Sequence, residues 1–199
     1  GPNTGGMGAV SPSPEETTIL SHQIMNKIFL PVAKGMVLDG NPYTGILYAG
    51  LMLTDTGPKV IEFNCRFGDP EAQVILPRLE SDLLDLILLH CNQKQESAVV
   101  NFSDDAAVTV VMANKGYPGK YRRNSIITNI DEIPSNPDGF IYHSGTAMSP
   151  KGQIIAEGGR VLSVTAKAKS YEQARSKAYK TISRIKWKNG FFRTDIASY

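Results

Sequence analysis

The run Val60-Ile61-Glu62-Phe63-Asn64-Cys65-Arg66-Phe67-Gly68-Asp69-Pro70-Glu71 constrains the fold more than any other stretch, because it changes from a strand pattern to a loop pattern within twelve residues. Side chains alternate faces along a strand, so Val60, Glu62 and Asn64 point one way and Ile61 and Phe63 the other. This predicts that Ile61 and Phe63 face a core. Glu62 and Asn64, roughly 7 Å apart at about 3.3 Å per residue, then present two oxygen ligands on the open face. Mg²⁺ suits such a pair, since it takes one or two protein oxygens and fills its octahedron with water and phosphate oxygens. Gly68 and Pro70 turn the chain away, leaving Arg66, Asp69 and Glu71 to meet a substrate.

With 199 residues, 41% apolar and 20% charged, the chain has enough material for one large or two small domains. A net charge of +2 and the absence of a dominant basic run argue against nucleic acid as the main partner. The apolar stretch from Leu83 to Leu89 is interrupted by Asp85. It is far short of the ~20 residues a membrane span needs, so no membrane role is expected. Cys65 and Cys91 lack metal-site spacing and are too few for a disulfide framework. With no signal-peptide pattern at the amino terminus, a cytoplasmic setting is expected. The chain opens on Gly1 rather than Met, and a piece of a longer protein is the expectation.

Residues 1–12 read as a Gly- and Pro-rich loop. A helix is expected from Ser13 as N-cap, with Pro14 and Glu16 in its first turn, kinked or broken at Pro31 and closed at Gly40. Thr44–Leu53 and Lys59–Asn64 pattern as strands joined in a hairpin through Gly57. A helix over Ser81–Gln95 follows, with Ser81 as its cap. Beyond about residue 97, strands are expected at Ala106–Ala113, Phe140–His143, Gln153–Glu157 and Arg160–Ala168, with short strand and loop over Asn124–Asn136. A capping box at Ser170 opens a last helix running to about Lys186. The boundary between two subdomains is placed near residues 96–105, giving segments 1–96 and 97–199.

Each candidate motif has an ordinary structural explanation beside the functional one. Asn3-Thr4-Gly5-Gly6-Met7-Gly8 can form a phosphate-cradling nest of backbone N–H groups, or simply a turn. It is neither a Walker A loop nor a dinucleotide fingerprint. Glu62 and Asn64 could be a solvated strand face, although a half-buried carboxylate wants a partner and a cation supplies one. Arg66 could neutralise Asp69 or Glu71, or grip a phosphate with its planar fork. His22, His90 and His143 have no ligand-spaced neighbours, so packing or surface roles are expected. The Lys and Arg residues from Lys167 to Lys188 read as a solvated face, and Gly158-Gly159-Arg160 as a turn before it is a ligand contact.

The glycine loop, Tyr48-Ala49-Gly50-Leu51-Met52, the run Val60 to Glu71, Gly116-Tyr117-Pro118-Gly119, His143-Ser144-Gly145-Thr146 and Gly158-Gly159-Arg160-Val161-Leu162 occur here in one order. In these blocks the chain resembles the carboxy-terminal half of the glycinamide ribonucleotide synthetase (phosphoribosylamine–glycine ligase) family of the ATP-grasp superfamily. The resemblance implies an α+β fold: part of the ATP-grasp large lobe, with antiparallel strands and helices, then a small carboxy-terminal α/β domain. It implies a purine-pathway ligase that joins glycine to 5-phosphoribosylamine through glycyl phosphate, using ATP and Mg²⁺ or Mn²⁺. Glu62 and Asn64 would be metal ligands, and Arg66 would stabilise the transferring phosphoryl or acyl phosphate. Asn3, Thr4, Gly5, Gly6, Met7 and Gly8 would close on phosphate, with Asp69 and Glu71 on the substrate side. A further acidic metal ligand, found in many ATP-grasp enzymes about twelve residues earlier, falls at Gly50, so no third ligand is carried over. An amino-terminal half of the same enzyme is an implied partner, and the chain alone is expected to be inactive. Two other readings stand beside this one: a different ATP-grasp carboxylate–amine ligase, and a non-catalytic phosphate-binding domain that keeps the fold.

Overall fold

The computed structural model describes residues 1–92, 98–134 and 136–198. The chain divides into two compact units, Ser13–Gly68 and the remainder, Gly1–Pro12 with Asp69–Tyr199. The sequence division near 96–105 runs along a different line, and residues 96 and 97 lie outside the described residues.

Strand β1 is Gly8–Ser11, where the sequence suggested only loop. Its regularity comes from a partner far along the chain rather than from local pattern, as described below.

In Ser13–Gly68, helix α1 (Thr18–Ile24) begins later than the Ser13 cap predicted. The Ser13 hydroxyl is committed to Glu15, at 2.8 Å, so Thr17 caps instead, accepting from the Leu20 N–H at 3.1 Å. Pro31 does not break the helix. A π-helical turn, Met25–Phe29, precedes α2 (Leu30–Leu38), with Leu30 N–H bonded to Met25 O. The wider turn absorbs the missing proline donor. Gly40, at φ 74°, ends the helix as expected, with Asn41 N–H bonded back to Met36 O. Strands β2 (Tyr48–Thr54) and β3 (Gly57–Asn64) then form the expected hairpin, with Thr54 opposite Gly57.

In the larger unit, α3 (Ala72–Ile75) and a 3₁₀ turn, Leu76–Arg78, follow the Pro70 turn. Helix α4 spans Leu83–Cys91, and Asp82 caps it by accepting from Leu84 and Asp85 N–H groups. Ser81, the expected cap, instead donates to Val99 O and accepts from Asn101 N–H. Residues 93–95 of the expected helix lie outside the described residues.

Strands β4 (Ala106–Asn114), β5 (Ser125–Ile126), β6 (Gly139–His143), β7 (Thr146–Met148), β8 (Ile154–Ala156) and β9 (Arg160–Ala168) precede α5 (Tyr171–Ile182) and β10 (Gly190–Phe191). The principal sheet runs β1-β4-β9-β6, with β10 also on β4, and a small sheet runs β5-β8-β7. Every strand pairing is antiparallel among the described residues. Ser170 caps α5 as its capping box predicts, accepting from Gln173 N–H at 3.3 Å, and the helix stops at Ile182, short of Lys186.

All nine residues of β4 are buried, because both its faces are covered. Val108, Val110 and Met112 pack with Leu162, Val164 and the α5 residues Ala174, Ala178 and Ile182. Val111 and Ala113 face the other way and pack with Met7, Tyr117 and Phe191. The glycine loop therefore leads into β1, the edge strand that pairs with the fully buried β4.

Candidate functional site

The candidate residues divide between the two units. In Ser13–Gly68, the ladder puts Glu62 opposite Gly50 and Asn64 opposite Tyr48, with a register shift between Gly50 and Leu51. Val60 pairs Leu51 and Glu62 pairs Gly50, so Ile61 is the extra residue of a bulge. The simple alternation expected for Val60, Glu62 and Asn64 is thereby interrupted. Nor do Ile61 and Phe63 reach a core: they are 63% and 40% exposed. A two-stranded ribbon has no further strand or buried face to receive them.

Glu62 and Asn64 do come together. Asn64 Nδ2 donates to Glu62 Oε1 at 3.1 Å, which puts both side chains within reach of one small cation. Rotating the Asn64 amide would offer its carbonyl oxygen beside the carboxylate. Two hard oxygen donors on an exposed strand, with open coordination positions for water and phosphate, fit Mg²⁺. Among the described residues, no group of three or more His, Cys, Asp or Glu could hold a metal ion, so the pair depends on its amide member. Arg66 is exposed and donates from Nη1 to Phe67 O at 2.8 Å. Nearby, the Tyr43 phenol donates to Ile46 O at 2.7 Å. Desolvation, and then the adjoining Cys65 thiol, push its pKa above the usual tyrosine value.

In the larger unit the glycine loop is held by residues far away in sequence. Gly5 N–H donates to the Tyr117 hydroxyl at 2.9 Å, and Gly6 N–H to Thr4 Oγ1 at 3.3 Å. Gly6 has φ 99°, and a Cβ there would lie 2.7 Å from Pro70 Cδ, so both backbone and space demand glycine. Met7 is a core residue and Gly8 opens β1, while Asn3 is exposed at the loop's outer end. Asp69 is paired with Arg160, Nη2 to Oδ2 at 2.8 Å, and its other oxygen accepts from Gln73 Nε2 at 2.9 Å. Glu71 is half-buried, and its carboxylate has no hydrogen-bond partner among the described residues.

Arg160 and Tyr117 are the residues sequence reasoning missed as parts of this cluster. Both lie in blocks that stood out, Gly158-Gly159-Arg160 and Gly116-Tyr117, yet spacing gives no clue to partners 112 and 155 residues away. One signal was present. A Cβ at Gly159 would come within 2.5 Å of the Tyr117 ring, so the glycine pair marks a close approach rather than only a turn.

Two family models match the chain: the ATP-grasp (A) domain of phosphoribosylglycinamide synthetase over residues 1–72, and the C domain of the same enzyme over residues 107–199. The chain belongs to the phosphoribosylglycinamide synthetase family. It is 48% identical to the chloroplastic phosphoribosylamine–glycine ligase of Arabidopsis thaliana, over 98% of this chain and 37% of that protein. It superposes on the crystal structure of phosphoribosylamine–glycine ligase from Thermotoga maritima with a TM-score of 0.84 at 33% identity, covering 98% of this chain and 47% of that one. The biotin carboxylase domain of a Hydrogenobacter thermophilus 2-oxoglutarate carboxylase, solved with MgADP and bicarbonate, matches with a TM-score of 0.66. Identity there is 13%, over 94% of this chain and 40% of that one, and the likeness is one of fold. The α+β, ATP-grasp-type architecture expected from the sequence is thus present. The chain spans less than half the length of each of these three proteins.

Proposed function

We propose that this chain is the metal-bearing and carboxy-terminal part of an ATP-dependent ligase that joins glycine to 5-phosphoribosylamine in purine biosynthesis. The observation that carries the reading is the Glu62–Asn64 pair, closed to 3.1 Å within the segment that matches the family's ATP-grasp domain. In the reaction, the glycine carboxylate attacks the γ-phosphorus of ATP and the bond to the β,γ-bridging oxygen breaks, giving ADP and glycyl phosphate. The amine of phosphoribosylamine then attacks the acyl carbon, phosphate leaves, and the nitrogen loses its proton as the amide forms.

Phosphoryl transfer needs positioning and charge neutralisation more than covalent chemistry from the protein. Glu62 and Asn64 would hold Mg²⁺ or Mn²⁺, which when bound supplies positive charge to the nucleotide phosphates. Arg66, whose single hydrogen bond to a neighbouring carbonyl leaves most of its fork unused, would stabilise the transferring phosphoryl group and the acyl phosphate. The loop from Asn3 to Gly8 would close on phosphate, with Asn3, Thr4, Gly5 and Gly6 nearest and Met7 and Gly8 anchoring it to the sheet. Of the two carboxylates assigned to the substrate side, Glu71 is the one without a protein partner among the described residues, whereas both oxygens of Asp69 accept from protein donors. We place the boundary between the ATP-grasp portion and the carboxy-terminal domain near residues 96–105, and the reaction in the cytoplasm. Residues supplied by the rest of the enzyme would complete the nucleotide site, so the 199-residue chain alone should turn over little substrate.

Glu62→Ala in the complete ligase is the test. Phosphate release that depends on ATP, glycine and phosphoribosylamine should fall by about 100-fold or more, a loss typical of removing one preorganised electrostatic group. Part of it should return at high Mg²⁺. Unchanged turnover with unchanged metal dependence would sink the metal assignment.

A further inference from the structure

We propose that Arg160 is a positioning residue of the ligase site: its guanidinium locks the glycine loop to the Asp69–Pro70 turn, and Asp69 serves that lock rather than the substrate. The inference rests on the ligase reading above and sharpens one of its assignments.

Arg160 Nη1 donates to Gly5 O at 2.5 Å, to Asp69 O at 2.7 Å and to Gly6 O at 3.3 Å, while Nη2 meets the Asp69 carboxylate at 2.8 Å. Four acceptors from two distant segments converge on one planar cation. Only arginine carries donors in a rigid fork able to do this; a lysine is a point charge at the end of a flexible stem. The Arg160 side chain is 20% exposed, so these charge-assisted bonds are partly shielded from water and count for more than a surface pair.

The order of support is also on view. Gln73, in α3, donates to Asp69 Oδ1, and this fixes the plane of the carboxylate. The carboxylate orients Arg160, and Arg160 orients the loop. Asp69 therefore has both oxygens engaged by protein donors, Arg160 on one and Gln73 on the other, which ties its orientation to the lock. Behind Arg160, Asn114 Nδ2 donates to Gly158 O at 2.7 Å, and Asn114 N–H to Gly159 O at 2.9 Å. The base of the arginine is therefore as well held as its tip.

The consequence for the loop follows from peptide geometry. A trans peptide points its N–H opposite its C=O, and neither the 5–6 nor the 6–7 bond is cis. Turning the Gly5 and Gly6 carbonyls onto Arg160 thus turns the Gly6 and Met7 N–H groups away from it. The Gly6 N–H is thereby turned onto Thr4 Oγ1, at 3.3 Å, and Met7 into the buried cluster; without the guanidinium the Gly5–Gly6 peptide could rotate out of this arrangement. Arg160 does not touch the reacting atoms; it holds the shape of the loop assigned above to phosphate.

The test compares Arg160→Ala, Arg160→Lys and Asp69→Ala in the complete ligase, by steady-state kinetics and amide hydrogen exchange. Arg160→Ala should lower kcat by about 100-fold, the scale expected for misplacement on the order of 1 Å, with KM for ATP unchanged. Exchange at Gly5 and Gly6, whose N–H groups are bonded to Tyr117 and Thr4, should quicken while Val108–Met112 of β4 stay protected. Arg160→Lys should recover less than about tenfold, because it restores charge but not the fork. Asp69→Ala added to Arg160→Ala should lower kcat little further, as two members of one contact are not additive. If Arg160→Ala does not fold, Gln73→Ala is the milder variant and should quicken loop exchange in the same way.

Normal kcat in a folded Arg160→Ala enzyme overturns the proposal, as does unchanged loop exchange. A full second loss from Asp69→Ala in the Arg160→Ala background also overturns it, because Asp69 would then act on substrate by itself. Absence of turnover in the wild-type ligase is a different result: it overturns the ligase reading, and the positioning role falls with it.

Discussion

The hairpin β2–β3 and the sheet centred on β4 are both antiparallel, yet they solve the problem of burying apolar side chains very differently. Strand β4 is buried along its whole length, sandwiched between the α5 cluster and the smaller cluster around Met7. Hairpin residues Met52, Leu53, Val60, Ile61 and Phe63 are all exposed, and in the entire Ser13–Gly68 unit only Ile28 and Gly68 are buried. The same split holds for charge. All four ion pairs among the described residues belong to the larger unit. The candidate metal ligands thus sit on the less consolidated unit, while the loop and its arginine are built into the more consolidated one. An unsupported ribbon is marginal in water, so stability and the candidate metal ligands are carried by different parts of the chain.

The largest expected contrast is between equivalent truncations in the two regions. Leu162→Ala, on β9 and fully buried, should lower the unfolding free energy by about 2–5 kcal/mol. Ile61→Ala on the exposed hairpin should change it by no more than about 0.5 kcal/mol. Denaturant titration of the two variants decides; equal losses would show that Ile61 is covered after all, and the comparison would fail.

A smaller effect is expected inside the buried sheet, where Thr165 Oγ1 donates to Thr109 Oγ1 at 2.7 Å between directly paired residues. Thr165→Val leaves the Thr109 hydroxyl buried without this partner and should cost about 1–3 kcal/mol. Replacing both by Val should cost less than the single change, because no orphan remains. A double-mutant cycle measures it. The hairpin offers no counterpart, its Thr54 and Thr56 hydroxyls being exposed at the turn.

What was readable in the sequence follows the same divide. The strand Arg160–Ala168 and the Ser170 cap were legible because apolar pattern and local hydrogen-bond chemistry agree there. Helix starts at Ser13 and Ser81 were misplaced because each hydroxyl found another partner, Glu15 in one case and Val99 with Asn101 in the other. Strand β1 escaped notice because Gly8–Ser11 becomes regular only by pairing with residues a hundred positions away. The Glu62–Asn64 pair proposed as metal ligands stands out from side-chain chemistry alone, whereas the bulge at Ile61 that sets its geometry belongs to the partner strand as much as to its own. Asp69 shows the limit most plainly. As one acidic residue after Arg66 it looked available for substrate, and its actual cation, Arg160, arrives from 91 positions further on.

The smallest effect, and the one that sharpens the electrostatic side of the comparison, is expected at Asp105. It sits just before β4, paired with Lys169 just after β9 at 2.7 Å, so the ion pair closes the end of the buried strands. The Lys169 ammonium in contact with it, against the opposing pull of desolvation, holds the Asp105 carboxyl below the usual aspartate range. A lowered folded-state pKa means that the unfolded chain binds the proton more readily. The stabilisation is therefore fully present above the ordinary aspartate pKa and is lost as the pH falls through the lowered value. Asp105→Asn should accordingly be less stable than wild type near neutrality and approach it in acid. Lys169 is largely exposed, so solvent and salt weaken the pair and the gap should shrink further as ionic strength rises. Thermal melts of both proteins across the acid range, at low and high salt, would read this out. Two curves that stay parallel into acid would mean that the pair contributes nothing, and that burial alone distinguishes the two units.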